Sequence, residues 1–291
     1  MTSGGNAGAV TFLLRERFGV GESPVWDGAQ GRLLWCDIPA GVIHAMDVDS
    51  GARQRWQFGE PVPSLGLAQN GRLVVALRND VVLFDPETGQ RETIARVEHA
   101  KVGMRLNDGK VGPDGAFWVG SMDGSGDGAP AARLYRVAPD GDVRVVAEGI
   151  AISNGLAWNA AGDRMYHSDS RGGIWLDCWE FDAATGAVSN RRRLREHDEA
   201  AGRPDGGACD MAGHYWSAGP SAGRLNRFSA DGELLDWIEL PIATPTMPCF
   251  GDDDMRTIYV TSLDSKADGG RDGVVRLRAE VPGVPVGRFG T

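Results

Sequence analysis

The chain has 291 residues, a formal net charge of −10 at pH 7 and 42 glycines, with 42% hydrophobic residues. That acidity, without a basic stripe, makes a nucleic acid or an anionic membrane a poor partner. No apolar run approaches the roughly 18 residues of a membrane span, and the glycines lack a G-X-Y period, which leaves tight turns as their use.

The N-terminus has no basic region followed by an apolar stretch, so a soluble, cytoplasmic protein is expected. Val10-Thr11-Phe12-Leu13-Leu14 reads as a strand, and the first of six similar segments opens at Gly21-Glu22-Ser23-Pro24. After it come a turn at Asp27-Gly28, the run from Arg32 to Ile38, the run from Val42 to Met46 and a turn from Asp47 to Gly51. Ser64-Leu65-Gly66-Leu67 opens a second segment of the same design, ending at the turn Asp85-Pro86-Glu87-Thr88-Gly89. Leu106-Asn107-Asp108-Gly109 opens the third, whose strands follow the turns Pro113-Asp114-Gly115 and Pro139-Asp140-Gly141. Ser153-Asn154-Gly155-Leu156 opens the fourth, where the basic cluster Arg191-Arg192-Arg193-Leu194-Arg195 is expected on a solvated edge strand. Pro204-Asp205-Gly206-Gly207 and Pro245-Thr246-Met247-Pro248 open the last two. The connections 124–132 and 197–202 are the expected mobile loops.

Openings roughly 40–50 residues apart, each followed by short strands between Asp, Asn, Pro and Gly turns, describe propeller blades. The expected fold is all-β: one six-bladed β-propeller spanning residues 1–291, with four antiparallel strands per blade. The segment from Val10 to Leu14 is expected to close the ring with the last blade, whose strands include the runs from Thr257 to Val260 and from Val274 to Leu277. Cys36, Cys178, Cys209 and Cys249 lack a CxxC spacing and read as reduced thiols rather than a zinc site. The five histidines show no paired spacing and are expected in the core or on the surface, and most of the tryptophans are expected between blades.

Inner strands line the axis of a propeller, so residues at equivalent positions in different blades meet at one mouth. Glu22, Asn107, Asn154 and Asp205 occupy such positions. Carboxylates and amide oxygens suit a hard cation, and the absence of neighbouring His or Cys disfavours structural zinc. Asp169, at the end of a strand near the same mouth, reads either as a ligand-orienting group or as a turn carboxylate.

The segments Gly21-Glu22-Ser23-Pro24-Val25-Trp26, Arg105-Leu106-Asn107-Asp108-Gly109-Lys110, Ile152-Ser153-Asn154-Gly155-Leu156, Tyr166-His167-Ser168-Asp169-Ser170, Pro204-Asp205-Gly206 and Met247-Pro248-Cys249-Phe250-Gly251 resemble, in order, the senescence marker protein/gluconolactonase/luciferin-regenerating enzyme-like family, in particular its bacterial sugar lactonases. The resemblance implies a divalent cation held by Glu22, Asn154 and Asp205, with Arg105 and Asn107 contacting substrate. Ca2+ or Zn2+ is the first expectation for the metal, with Mn2+, Mg2+ or Fe2+ as further options. Two departures stand out. Gly120-Ser121-Met122-Asp123-Gly124-Ser125 shifts or replaces the family's polar residue after Gly-Thr-Met, which leaves sugar preference open, and Asp252 follows Phe250-Gly251 where a second glycine is usual.

The leading expectation is hydrolysis of a small sugar (aldono-) lactone to the sugar acid, with Asp205 activating the water. An esterase or phosphotriesterase on the same metal site is the first alternative, and a non-catalytic, metal-binding regulatory propeller the second. A Ser-His-Asp mechanism has no GxSxG segment to start from. Oligomeric state is left between monomer and weak dimer.

Overall fold

The computed structural model describes residues 9–124, 129–266 and 271–290. Among them, 24 strands form six four-stranded antiparallel sheets arranged as the blades of a propeller. The innermost strands are Gly21–Asp27, Ser64–Leu67, Met104–Val111, Ser153–Trp158, Gly207–Cys209 and Pro245–Gly251, and neighbouring ones pack against each other around the axis. In five blades the chain then runs outward strand by strand. In the sixth, Thr11–Leu14 supplies the outermost strand, with Thr11 opposite Arg276 and Phe12 opposite Val275. The ring therefore closes as expected, with Thr11–Leu14 pairing the edge that Val274–Arg278 would otherwise leave open.

Burial explains why the strand sequences differ. The inner strand Gly21–Asp27 and its neighbour Arg32–Asp37 are buried throughout, so Leu33-Leu34-Trp35-Cys36 is continuously apolar. The outermost strand Arg53–Gln57 is mostly exposed and polar. Aromatic side chains fill the wedges between blades: Trp26 stacks on Tyr259 with ring centroids 5.9 Å apart, and Trp118 meets Trp158 edge-on at 5.9 Å. All four cysteines are free and buried.

The recurring Asp-to-Gly turns have a shared mechanism. The carboxylates of Asp47, Asp85 and Asp182 accept backbone N–H groups two residues on, from Asp49, Glu87 and Ala184 at 3.2, 2.8 and 2.9 Å. Gly51, Gly89 and Gly186 then take φ of 74°, 75° and 67°, which a side chain would resist.

The basic cluster lies on the outermost strand Ala187–Glu196, as expected, but it is not simply solvated. Arg191 and Arg193 reach back to Asp177, a carboxylate 2% exposed, and lie over Trp175. Asp252 also finds an explanation. It sits at φ 64°, a glycine-like conformation, and its carboxylate accepts bonds from the hydroxyls of Tyr259, at 2.5 Å, and Thr257. The side chain thus offsets the backbone cost of a non-glycine residue at this φ.

Candidate active site

The site begins in the backbone of the inner strands. Register breaks between Glu22 and Val25, between Leu106 and Gly109, and between Asn154 and Ala157. Each break places two residues opposite one, a β-bulge, which re-aims the adjoining side chains. Gly155 meets the bulge geometry with φ 71°; Ser23 does so as a non-glycine residue at φ 50°. Its hydroxyl holds that conformation by accepting from Leu65 N at 3.0 Å and donating to Leu65 O at 3.3 Å. Opposite the second bulge, Gly120 is obligatory because a Cβ there would come within 1.9 Å of Ser153 Oγ.

A chain of hydrogen bonds joins three blades at this mouth. Arg105 Nη1 donates to Asn107 Oδ1 at 2.8 Å. Asn107 Nδ2 donates to Ser153 O and to Asn154 Oδ1, both at 2.9 Å. Asn154 Nδ2 in turn donates to Ser170 Oγ at 2.6 Å, and Ser170 Oγ to Pro204 O, next to Asp205, at 2.6 Å. These bonds orient both amides, leaving Asn154 Oδ1 a second lone pair. Glu22 Oε2 accepts Ser23 N at 2.7 Å, which occupies only one of its two oxygens.

Electrostatics single out the same residues. Burial, followed by the charges of Asp205 and Asp108, holds the Glu22 carboxyl well above the ordinary carboxylate range. Asp205 is pushed up to about 8 by burial and by the Asp108 charge. Arg105 is drawn down to about 10 by burial, with Arg78 adding repulsion while Glu22 and Asp205 oppose the shift. Carboxylates gathered at one mouth and raising one another's pKa are what a cation site looks like when only its protein charges are counted.

Among the described residues no three His, Cys, Asp or Glu side chains are arranged to hold a metal ion. The set at this mouth is two carboxylates and an amide, Glu22, Asp205 and Asn154. It fits a hard, oxygen-seeking divalent cation by the chemistry of its donors.

Two residues escaped the reading of the sequence. Asp108 is 3% exposed; its Oδ2 accepts Leu156 N at 3.2 Å, and its Oδ1 is buried without a hydrogen-bond partner among the described residues. Lys110, 7% exposed on the same strand, donates to Gly207 O, and its charge opposes the upward shift of Asp108. The alternation Asp108-x-Lys110 was the available signal. Asp169, by contrast, serves the backbone: its carboxylate accepts N–H groups of Ala151, Ile152, Arg171 and Gly172 at 2.8–3.2 Å and so is a turn carboxylate. Asp123 is buried in an ion pair with Lys101, and Ser125 lies outside the described residues. A cavity of about 680 Å3 opens at the other end of the inner strands, lined by Trp26, Lys110, Trp158, Cys209 and Phe250, away from the acidic mouth.

Residues 20–264 match the family described as SMP-30/gluconolactonase/LRE-like region. The chain belongs to that family. It is 37% identical over 279 residues to a 6-deoxy-6-sulfogluconolactonase of Pseudomonas putida, covering 93% of this chain and 95% of the relative. To regucalcin of Bos taurus it is 35% identical, covering 88% and 89% of the two chains. Its fold superposes on a calcium-binding protein, regucalcin, of Agrobacterium tumefaciens with a TM-score of 0.88 at 26% identity, covering 97% and 96%. Family membership supports a lactonase-type hydrolase, and no helix of the described residues is long and apolar enough to cross a membrane.

Proposed function

We propose that this protein is a metal-dependent lactonase that opens a sugar lactone to the sugar acid. The observation that carries the reading is the continuous network from Arg105 through Asn107 and Asn154 to Ser170, set beside the Glu22 and Asp205 carboxylates. Glu22, Asn154 and Asp205 would hold the cation, Ca2+ first given the calcium-binding relative. When bound, the cation would supply Lewis-acid polarisation of the lactone carbonyl. Arg105 and Asn107 would hold ring hydroxyls and the developing negative charge, fixing the line of attack. Asp205 would take a proton from water as its oxygen bonds to the carbonyl carbon. The ring C–O bond then breaks and the leaving ring oxygen recovers a proton, giving the hydroxy acid.

The test is a pH-drop assay over five- and six-carbon aldonolactones, with and without added Ca2+, Zn2+, Mn2+ and Mg2+, on wild type and Asp205→Ala. Metal-dependent turnover lost in the variant supports the assignment, and near-normal turnover in a folded variant removes it. The regucalcin relatives motivate a second reading, a calcium-binding propeller without turnover. Calcium binding by calorimetry with no opening of any lactone, aryl ester or phosphotriester would favour it.

A further inference from the structure

We propose that Arg78, acting with Arg105, forms a subsite for an oxyanion at the end of the substrate remote from the scissile carbonyl. The preferred substrates are then aldonolactones bearing a sulfonate, phosphate or carboxylate group, an inference that rests on the lactonase reading above.

Arg78 lies between the second and third strands of its blade, and its backbone is fastened to the site. Leu106 N, between the two substrate residues Arg105 and Asn107, donates to Arg78 O at 2.9 Å. His99 Nε2 lies 2.9 Å from the same carbonyl oxygen, and Arg78 N donates to Glu60 Oε2 at 3.3 Å. The mount is fixed while the side chain is exposed. The nearby cations Lys101 and Arg203 pair with Asp123 and Glu199. Among the described residues the Arg78 guanidinium makes no ion pair, and Glu60 meets its backbone instead.

Arg105 offers the complementary half. Its Nη1 is occupied by Leu106 O and Asn107 Oδ1, both at 2.8 Å, while among the described residues its other donors carry no such bond. The bond from Leu106 N to Arg78 O sets Arg78 beside the strand that carries Arg105, and the Arg78 charge adds to the lowering of Arg105. In the metal-free protein Glu22 and Asp205 oppose that repulsion. With a divalent cation bound, Glu22 and Asp205 would be balanced; Lys110 balances Asp108, and Glu60 is the carboxylate beside Arg78, so the pair of arginines keeps a net positive charge at this mouth of a chain whose net charge is −10. Neutral ring hydroxyls do not require a second cation. An oxyanion bridging two planar donor forks does, because each fork can give charge-assisted bonds to separate oxygens.

The experiment measures kcat/KM of the calcium-loaded protein for D-glucono-1,5-lactone, its 6-phosphate and its 6-deoxy-6-sulfonate, in wild type, Arg78→Met, Arg78→Glu and Arg78→Lys. Wild type should favour the anionic lactones, and the anionic-to-neutral ratio should fall by roughly tenfold or more in Arg78→Met, since a bond to a charged group is worth about one such factor. The loss should fall mainly on KM, deepen in Arg78→Glu and partly recover in Arg78→Lys. The phosphate and sulfonate arms show which oxyanion the subsite fits better. Turnover of gluconolactone with a ratio unmoved by Arg78→Glu, or a wild-type preference for the neutral lactone, overturns the subsite and leaves the lactonase reading standing. Absence of turnover on all three lactones removes both.

Discussion

The side-chain amide of Asn107 donates to the side-chain oxygen of Asn154 at 2.9 Å, across the boundary between two blades. A proposed substrate residue and a proposed metal ligand therefore share one bond. Asn107→Ala should then weaken calcium binding as well as raise KM, by roughly 10-fold or more, the usual cost of losing a partner that orients a ligand. Calcium calorimetry and steady-state kinetics on the same preparation check this. A change in KM with unaltered calcium affinity would show the bond to be incidental.

Stability of the metal-free protein should fall as pH rises through the Asp205 titration. Its folded pKa, about 8, lies above the ordinary value of 3.8, so the folded state binds the extra proton and stability is lost between about pH 4 and 8. The slope from this group is at most about 1.4 kcal/mol per pH unit. Urea unfolding in a chelator across that range should show the decline in wild type, a flatter profile in Asp205→Asn, and recovery on adding Ca2+ to wild type only.

His167 has the opposite sign. Fully buried and hydrogen-bonded through Nε2 to Ser153 Oγ at 2.8 Å, its imidazole is driven down to about 3. The unfolded chain takes up the proton first, so stability is complete above about pH 6.5 and is lost as pH falls toward 3. Between pH 7 and 5 this amounts to about 2 kcal/mol. The difference between wild type and His167→Gln, measured at both pH values in the presence of Ca2+, isolates it.

Ser23 combines a strained φ of 50° with two hydrogen bonds to buried Leu65. Ser23→Ala keeps the strain and orphans the Leu65 backbone groups, a cost of about 1–3 kcal/mol. Ser23→Gly also loses the bonds but relieves about 1 kcal/mol of backbone strain. Denaturation midpoints should therefore rank wild type above Ser23→Gly above Ser23→Ala, with catalytic activity lowered in both variants because the bulge aims Glu22.

The short strand runs, the Asp-to-Gly turns and the six openings were legible because they depend on local backbone preference and on which segments are buried. Glu22, Asn107, Asn154 and Asp205 were legible for a related reason: residues in equivalent phase must approach one axis once the sheets form a ring. Arg191 and Arg193 were only half legible, since nothing near them in sequence indicates that Asp177 lies buried within their reach. Asp169 had two readings of equal standing, and four backbone N–H groups decided between them.

By itself, then, the sequence determined a closed six-bladed ring and the polar residues of its mouth, because short apolar runs and turn chemistry are written locally. Only the tertiary structure decided how those residues connect: the bulges that turn Glu22 and Asn154, the amide bond between Asn107 and Asn154, the Asp108 carboxylate beneath them and the fastening of Arg78 to Leu106. Those relations arise where separate blades converge, and the pKa of a carboxylate there depends on charges that no stretch of sequence places side by side.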